Sequence, residues 1–566
     1  EVTFTCILKA CGDIREIQKG KQVHEELIHN GLLKNNVVLG NALVDMYAKC
    51  GELSKAKQIL SELPVRNVIT WSALILRYAQ QGHGEDALEC FESMQKDGLS
   101  PNAITYACIL KACGSPRVIE KGKKIHDEVM NKGMLTDVVI GTALVDMYAR
   151  CGELKTARGV LDELPVHNIA TWNALISGYA QIGQSEEALG CLETMMQRED
   201  PFPNAITFTC ALKACSSMES IEKGKQIHEY LVCSKLLGND IALHTALVDM
   251  YAKCGALAKA KEVFGQIPVR DVVSWNALIS GYVQQGKGEE ALDCLGMMKK
   301  DGVSPNSITF AYILKTCGDV GLVNKGRVIH DEIIQNGLLL QGDVMLATAL
   351  VEMYARAGML SKAEKVLDEL LIQNVVSWNA LMSGYAQQGQ GKRAIECFEQ
   401  MRRKGIQPTA VTFLCLLNAC SHSGLVDEGQ MYFENMSGIY GVSPHAEHHA
   451  CMVDLLSRAG HFERAMAVIH KMPSSNYLPV WASVLGACRK WGNVELGRLA
   501  FKQAIQLDRN NVAAHICMIN IFTAAGMQEE AQSINAMRIR NSGCKHSGVH
   551  DVGSNVHLLY LTDSKI

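Results

Sequence analysis

Histidine, glutamate and cysteine side chains are the first candidates for chemistry in this chain, and His445-Ala-Glu447 has the most suggestive spacing. Zinc-dependent cytidine deaminases hold their metal and activate water with an H-x-E segment, but only together with a P-C-x-x-C segment. No two of the 21 cysteines are spaced as C-x-x-C. We therefore interpret this segment as a coincidence and His448, His449 and Cys451 as repeat residues. The sequence predicts no catalytic residue, no metal site and no nucleotide or organic cofactor, and hence a protein that is not an enzyme.

The cysteines and tryptophans instead mark a period. Five cysteines are separated by 102, 102, 102 and 103 residues, namely Cys11, Cys113, Cys215, Cys317 and Cys420. Five tryptophans are separated by 101, 103, 103 and 103 residues, namely Trp71, Trp172, Trp275, Trp378 and Trp481. A module of about 102 residues therefore recurs along the chain. We expect the cysteines to be reduced thiols that pack as small apolar side chains.

Each module divides into three related units, such as 103–137, 138–168 and 169–204. A first helix is predicted from apolar residues at i, i+3 and i+4, as in the run that starts at Thr142, and Gly152 or Gly183 ends it. A second amphipathic helix follows, and Pro165 or Pro203 stops it. Two such helices cannot bury their apolar faces alone. The pattern therefore predicts an all-α fold, a right-handed superhelical α-solenoid of stacked helix-turn-helix units.

Composition narrows the class of protein further. The 566 residues are 48% hydrophobic and 20% charged, which is incompatible with a disordered chain. No run of 18 or more residues is apolar enough to cross a membrane. The net charge of −4 excludes a global basic field of the kind that attracts nucleic acid without regard to sequence.

Several runs resemble plant organellar pentatricopeptide repeat (PPR) proteins of the PLS subclass. They are Leu43-Val-Asp-Met-Tyr-Ala-Lys-Cys-Gly51, Trp172-Asn-Ala-Leu-Ile-Ser-Gly-Tyr-Ala-Gln181, and Leu110-Lys-Ala-Cys113 with Gly122-Lys-Lys-Ile-His126. The resemblance implies alternating L-, S- and P-type repeats over 1–445 and a last S-type repeat at 446–477. It further implies a first E-type motif at 478–511, a second at 512–545 and a divergent tail at 546–566, without the DYW-type deaminase domain of many relatives.

The resemblance also implies how such repeats read single-stranded RNA, one base per repeat. The fifth residue and the last residue of a repeat contact the base, and an aliphatic second residue flanks it. An Asn amide offers a donor and an acceptor to a base edge, whereas Ser or Thr leaves room for a purine. The expected base-flanking residues are Val38, Ile69, Val139, Val273 and Val376.

The expected base-reading pairs are Asn41/Asn67, Ser72/Asn102, Thr142/Asn168, Asn173/Asn204, Thr245/Asp271, Asn276/Asn306, Thr348/Asn374 and Asn379/Thr409. The family rule assigns C to Asn with Asn, A to Ser or Thr with Asn, G to Thr with Asp, and a pyrimidine to Asn with Thr. The predicted target is 5′-CANACNGCNAY-3′, in which the L-type repeats are left unread. The L-type pair Thr209/Asp240 stays open.

The alternative interpretation is that these Asn, Ser and Thr residues only cap helices, because such residues are favoured at helix starts. Against it, most L-type fifth positions are Ala or Leu, while all eight pairs are polar combinations that the rule allows. The acidic balance of the chain predicts that base contacts dominate binding and that its salt dependence is modest.

Three functions remain open from the sequence. One is a site-recognition factor for organellar C-to-U RNA editing, with a deaminase or an accessory protein supplied in trans. Another is a factor for splicing, processing or stabilisation of an organellar transcript, and the third is a protein-binding solenoid. By resemblance the location is the mitochondrion or the chloroplast, with the targeting peptide outside this chain.

Overall fold

The computed structural model describes residues 2–33, 36–63, 65–115, 117–197, 201–338, 343–370, 373–472 and 477–543. Over these residues the chain forms 32 α-helices and no β-strand. The expected all-α solenoid architecture of helical hairpins is confirmed. The expected tail at 546–566 lies outside the described residues.

The chain divides into two units, of which the first is Glu1–Ser304. Its nine hairpins each pair an odd-numbered first helix with an even-numbered second helix. The helices are α1 (Val2–Asp13), α2 (Ile17–His29), α3 (Val37–Lys49), α4 (Leu53–Glu62), α5 (Val68–Gln80), α6 (Gly84–Lys96), α7 (Ala103–Ala112), α8 (Ile119–Asn131), α9 (Val138–Arg150), α10 (Leu154–Glu163), α11 (Ile169–Ile182), α12 (Ser185–Gln197), α13 (Ala205–Ser217), α14 (Ile221–Cys233), α15 (Ile241–Lys253), α16 (Leu257–Gly265), α17 (Val272–Gln284) and α18 (Gly288–Lys300).

The second unit, Pro305–Ile566, continues the same pattern with seven hairpins over its described residues. Its helices are α19 (Ser307–Val320), α20 (Val323–Gln335), α21 (Val344–Arg356), α22 (Leu360–Glu369), α23 (Val375–Gln387), α24 (Gly391–Arg403), α25 (Ala410–Ser423), α26 (Val426–Gly438), α27 (Ala446–Arg458), α28 (Phe462–Lys471), α29 (Leu478–Trp491), α30 (Val494–Leu507), α31 (Val512–Ala524) and α32 (Gln528–Gly543).

Within each unit, first helices pack against one another in sequence order, and most second helices pack on the first helices of their own and the next hairpin. In the first unit, for example, α9 contacts α7, α10 and α11, and α10 contacts α11. First helices therefore form one continuous layer and second helices cover it. Any surface shared by many repeats within a unit is built from the first helices.

The core repeats with the sequence period. The five periodic tryptophans are at most 5% exposed, and the five periodic cysteines are buried as well. The cysteines that the structure describes are free thiols, as expected. Burial raises the pKa of Cys113 to about 12, so this thiol is a packing group and not a nucleophile.

Local signals explain where the helices begin and end. Asn204 caps α13 by accepting the amide proton of Thr207, and the Thr207 hydroxyl accepts the amide proton of Asn204 in return. Gly183 ends α11 with φ of 81°, a left-handed conformation that favours glycine. Close approach also requires glycine at Gly178, where an added Cβ would lie 2.6 Å from the Cβ of Ala149 on α9.

A pair of a half-buried histidine and a buried tyrosine recurs in the four modules. The histidine Nδ1 lies 2.9–3.0 Å from the tyrosine hydroxyl in His24–Tyr47, His126–Tyr148, His228–Tyr251 and His330–Tyr354. Each pair joins a second helix to the next first helix. Burial lowers the pKa of all four histidines, because an apolar environment disfavours the charged imidazolium.

Candidate nucleic-acid interface

All eight expected last residues are N-cap residues of the following first helix. Seven of them accept the backbone N–H of the third helical residue, at 2.7–3.1 Å. Thr409 forms a capping box with Thr412 instead. Capping is therefore a real role of these side chains. It places each of them at the start of the layer of first helices, and their base-reading role stays a prediction.

Two of the expected pairs are joined directly. The Asn173 side-chain amide donates to Oδ1 of Asn204 at 3.3 Å, and the Asn168 side-chain amide donates to the Thr142 hydroxyl at 3.2 Å. Asn173 is only 9% exposed, so little of its side chain is accessible. Each of these pairs presents combined donor and acceptor groups beside one helix start.

Two further pairs are joined through a hydroxyl of the next helix. The Thr70 hydroxyl, with one proton to donate, lies within hydrogen-bond distance of the side-chain oxygens of both Asn41 and Asn67, the latter at 2.8 Å. Thr105 lies 2.8 Å from the Ser72 hydroxyl and 2.9 Å from Oδ1 of Asn102. The fifth and last residues of these repeats therefore share one polar cluster.

The pair Thr348/Asn374 is not joined in this way. Thr348 donates to a carbonyl one turn earlier in its own helix, α21. Asn374 caps α23 by accepting the backbone N–H of Ser377 at 2.8 Å, and the Ser377 hydroxyl lies 3.1 Å from Asn374 Oδ1. Among the described residues, no hydrogen bond connects Thr348 with Asn374 or with Ser377. The structure thus shows Asn374 as a capping residue, the alternative that the sequence left open, and a joint contact of this pair with a base stays a prediction.

The pair Thr245/Asp271 is also separate. The buried Thr245 hydroxyl has no hydrogen-bond partner among the described residues. Asp271 caps α17 and accepts the backbone N–H of Ser274 at 2.8 Å. The acidic side chain is therefore held at the helix start, while the hydroxyl of its partner is left without an internal hydrogen bond in that part of the chain.

The pair Asn379/Thr409 shows a further arrangement. Asn379 Oδ1 is buried and unpartnered in the described part of the chain, and the Thr409 hydroxyl lies 3.2 Å from that of Thr412. Asn276 belongs to the first unit and Asn306 to the second.

The expected base-flanking residues lie at the second position of their helices with 54–68% of their surface exposed. An exposed aliphatic side chain at each helix start offers an apolar face to a planar ring. This row of exposed aliphatic residues has further members that were not among the expected base-flanking residues. The same position is exposed and apolar at Ile104, Ile206, Ile308, Met345 and Val411. The recurrence of Val, Ile or Met two residues after the last residue of a repeat is the signal that identifies them.

Exposed lysines follow the fifth position of four repeats that are expected to be L-type by four residues, which puts them on the same helix face. They are Lys9, Lys111, Lys213 and Lys315. Basic residues at the ends of the first helices of repeats expected to be S-type are instead paired with an acid one turn earlier, as in Lys49–Asp45 and Lys253–Asp249. Positive charge on the first helices is thus local and limited.

The H-x-E segment is part of this same capping scheme. His445 is the N-cap residue of α27 and forms a capping box with His448, whose Nε2 lies 2.8 Å from the carbonyl oxygen of Ala410. Cys451 donates to Oδ1 of Asn418. In the part of the chain that the structure describes, no group of three or more His, Cys, Asp or Glu residues is placed to hold a metal ion. None of the described helices is long and apolar enough to span a membrane.

Comparison with known families agrees with this architecture. The family described as PPR repeat family matches residues 66–115, 167–217, 270–319 and 373–422. The family described as PPR repeat matches residues 41–68, 142–169, 243–272, 347–375, 411–439 and 450–477. Matches to the first of these families begin at residues 66, 167, 270 and 373, which repeats the spacing of the periodic tryptophans.

Individual relatives are similar over nearly the whole chain. A chloroplastic pentatricopeptide repeat-containing protein of Arabidopsis thaliana is 34% identical over 559 residues, which cover 98% of this chain and 68% of the relative. A mitochondrial one is 32% identical over 541 residues, covering 95% and 78%. The crystal structure of the maize pentatricopeptide repeat protein PPR10 has a TM-score of 0.52 at 19% identity, covering 95% of this chain and 83% of that one. With its periodic helical hairpins and these relatives, the chain belongs to the pentatricopeptide repeat family.

Proposed function

We propose that this protein binds single-stranded RNA in a sequence-specific manner, with one base read by the fifth and last residues of each S- and P-type repeat. The observation that carries the proposal is the direct contact of Asn173 with Asn204, 3.3 Å apart, at a helix start. The exposed aliphatic row beside such pairs supports it, because a base needs apolar contact on its faces and polar contact on its edge.

The chemistry of the pairs supports the target 5′-CANACNGCNAY-3′. The Asn173/Asn204 pair can donate to the acceptors of cytosine, and the small Thr142 hydroxyl leaves room for adenine. Asp271 can only accept a hydrogen bond and therefore favours guanine, which presents donors on its Watson–Crick edge. Lys9, Lys111, Lys213 and Lys315 would neutralise a few phosphates without a global basic field.

Relatives support RNA as the ligand and an organelle as the location. A second structure of maize PPR10 is a complex with an 18-nt psaJ RNA element, and this chain matches it with a TM-score of 0.51 at 18% identity. The two Arabidopsis relatives described above carry chloroplastic and mitochondrial in their names. We extend both properties to this chain as part of the proposal, with the mitochondrion or chloroplast as its location.

The finer proposal is a site-recognition factor for C-to-U RNA editing of the PLS subclass. It rests on the resemblance of 478–511 and 512–545 to E-type motifs, which form the hairpins α29–α30 and α31–α32. The protein would not itself be an enzyme, and a deaminase would be supplied in trans. A role in splicing, processing or stabilisation shares the same RNA-binding surface and differs in the transcript that it selects.

A binding and editing assay tests both levels. The protein is titrated at physiological salt against 5′-CANACNGCNAY-3′ RNA that is followed by a cytidine, with a scrambled RNA of equal length as control. We expect selective binding and an unchanged cytidine with the protein alone. Addition of organellar extract from plants should convert that cytidine to uridine. Equal binding to both RNAs would contradict base reading, and selective binding without conversion in extract would favour splicing or stabilisation.

A further inference from the structure

A buried hydroxyl occupies the third position of every first helix that follows an expected base-reading pair. The residues are Thr70, Thr105, Thr171, Thr207, Ser274, Thr309, Ser377 and Thr412, each at most 1% exposed. Burying a hydroxyl is unfavourable unless it is hydrogen-bonded. We therefore expect these hydroxyls to form hydrogen bonds within the local polar clusters.

Capping alone does not explain these hydroxyls. The first helices that follow L-type repeats are capped by Asn36, Asp137, Asp240 and Asp343 in the same way. Their third residues are nevertheless aliphatic and buried, namely Leu39, Ile140, Leu243 and Leu346. The third residue of the following first helix thus carries a hydroxyl after the repeats that are expected to read a base. After these four repeats, which are not expected to read one, the same position is aliphatic.

The cluster at Asn173 shows what the hydroxyl does. Thr207 Oγ1 lies 2.6 Å from Oδ1 of Asn173 and 3.0 Å from Oδ1 of Asn204. It also accepts the backbone N–H of Asn204 at 3.1 Å, so its single proton is left for an acceptor. The shorter contact gives that proton to Asn173. The Asn173 amide oxygen then accepts from Thr207, and its NH2 group, which donates one proton to Asn204, has one N–H left to donate to a base.

Two more junctions repeat this connection. Thr171 lies 3.1 Å from the Thr142 hydroxyl and 2.6 Å from Oδ1 of Asn168. Thr105 bridges Ser72 and Asn102, as described above. In each cluster a hydroxyl from the next repeat touches both residues of the pair, and a buried geometry of this kind restricts which edge the pair can present.

We propose that the third residue of the following repeat is a positioning residue that sets base preference, at the four pairs Asn41/Asn67, Ser72/Asn102, Thr142/Asn168 and Asn173/Asn204. The inference rests on the proposed RNA-binding function. Without the hydroxyl, Thr207 no longer holds the Asn173 amide oxygen in place. The amide can then flip, so that either its oxygen or its nitrogen faces the base. Cytosine, which offers acceptors to the amide nitrogen, then loses its advantage over other bases.

The test compares Thr207→Val with the unaltered protein. Affinities are measured for four RNAs that differ only in the fifth nucleotide of 5′-CANACNGCNAY-3′, with thermal melting recorded for each protein. We expect discrimination for C at this nucleotide to fall about tenfold, within the range of a single base contact, while preferences at nucleotides one and seven are unchanged. Thr207→Ser keeps the hydroxyl and should retain discrimination.

Two further variants guard against a folding artefact. Thr194→Val makes the same substitution at a hydroxyl that donates to the Gly190 carbonyl within α12, and it should leave all preferences unchanged. Thr171→Val should lower discrimination at the fourth nucleotide, which keeps the test open if Thr207→Val fails to fold. Full discrimination in a folded Thr207→Val or Thr171→Val protein would overturn the inference alone. No discrimination by the unaltered protein at any nucleotide would overturn the proposed function, and the inference with it.

Discussion

The side-chain amide nitrogen of Asn173 lies 3.3 Å from Oδ1 of Asn204, although 31 residues separate them in sequence. One of these residues lies inside a first helix and the other caps the next first helix. Stacking of successive hairpins is what brings them together, so the polar pair exists only in the folded array. A polar pair formed between successive hairpins fits the proposal that each such repeat reads one base.

The five periodic tryptophans should contribute much of the local stability of the repeats. Trp275 is buried and its ring centroid lies 4.6 Å from that of Phe264 in an edge-to-face contact. We expect Trp275→Ala to lower the free energy of unfolding of the neighbouring repeats by about 3–5 kcal/mol, as for other buried aromatic side chains. Urea unfolding followed by circular dichroism measures this. Trp491→Ala, at a half-exposed ring, should have a much smaller effect, and equal effects would contradict the assignment of Trp275 to the core.

Close packing of first helices should make substitution of Gly178 destabilising. Gly178→Ala would place a Cβ 2.6 Å from the Cβ of Ala149, and relief requires movement of the α11 or α9 backbone. We expect a loss of about 1–3 kcal/mol, typical of overpacking. Gly190→Ala in α12 is the matched control, because nothing lies within 4 Å of its added Cβ. That control should stabilise by up to about 1 kcal/mol through helix propensity, and a neutral Gly178→Ala would contradict the close approach.

The half-buried histidines of the His–Tyr pairs should make stability fall in mild acid. Burial lowers the pKa of His24, His126, His228 and His330 in the folded protein, so the unfolded chain binds protons first as the pH falls below about 6.5. Each such histidine removes at most about 1.4 kcal/mol of stability per pH unit until the folded state also becomes protonated.

Thermal melting between about pH 7.5 and 5.5, a window chosen around the ordinary histidine pKa, measures the effect. We expect the Tm to fall below about pH 6.5 and to fall less steeply in a His228→Gln variant, which lacks one titrating group. A Tm that is constant or rises towards the acidic end of this window would contradict the burial of these imidazoles.

RNA affinity should depend only modestly on salt. Four exposed lysines on the first helices would give a slope of log K against log salt of about −3, since each phosphate contact on a single strand adds about −0.7. Lys111→Gln should reduce the slope by that amount, whereas Lys155→Gln on the second helix α10 should leave it unchanged. A slope of about −8 or steeper in the unaltered protein would mean that phosphate contacts, and not base contacts, dominate binding.

Much of the fold could be predicted because its causes are local. The spacing of Trp71 to Trp481 and the Asn, Asp and Gly residues at helix ends are all visible in the sequence, and the structure confirms the helices and the buried tryptophans. The hydroxyl clusters could not be predicted in the same way. Whether Thr207 reaches Asn173 depends on contacts between hairpins, and the unpartnered hydroxyl of Thr245 likewise follows from packing and not from residue type.

Two pairs with the same residue types also differ in their hydrogen bonds, which residue type does not predict. Thr142/Asn168 and Thr348/Asn374 have the same residue types, yet a hydrogen bond joins only the first pair among the described residues. Capping by Asn374 matches the alternative interpretation of these residues as helix caps, whereas its distance from the hydroxyl of Thr348 could not be predicted from residue type.

The central claim is that fifth and last residues select the base, and a matched exchange of protein and RNA tests it most directly. Thr245 is suited to the exchange because its hydroxyl has no partner among the described residues, so its replacement removes no hydrogen bond found in that part of the structure. The Thr245→Asn variant and the unaltered protein are each titrated against the target RNA with G or U as the seventh nucleotide.

The account predicts that the unaltered protein prefers G and that Thr245→Asn prefers U, with the preference at the fifth nucleotide and the Tm unchanged. If both proteins show the same preference at the seventh nucleotide, or if selectivity collapses at every nucleotide together, the pair is structural and the base-reading account is wrong.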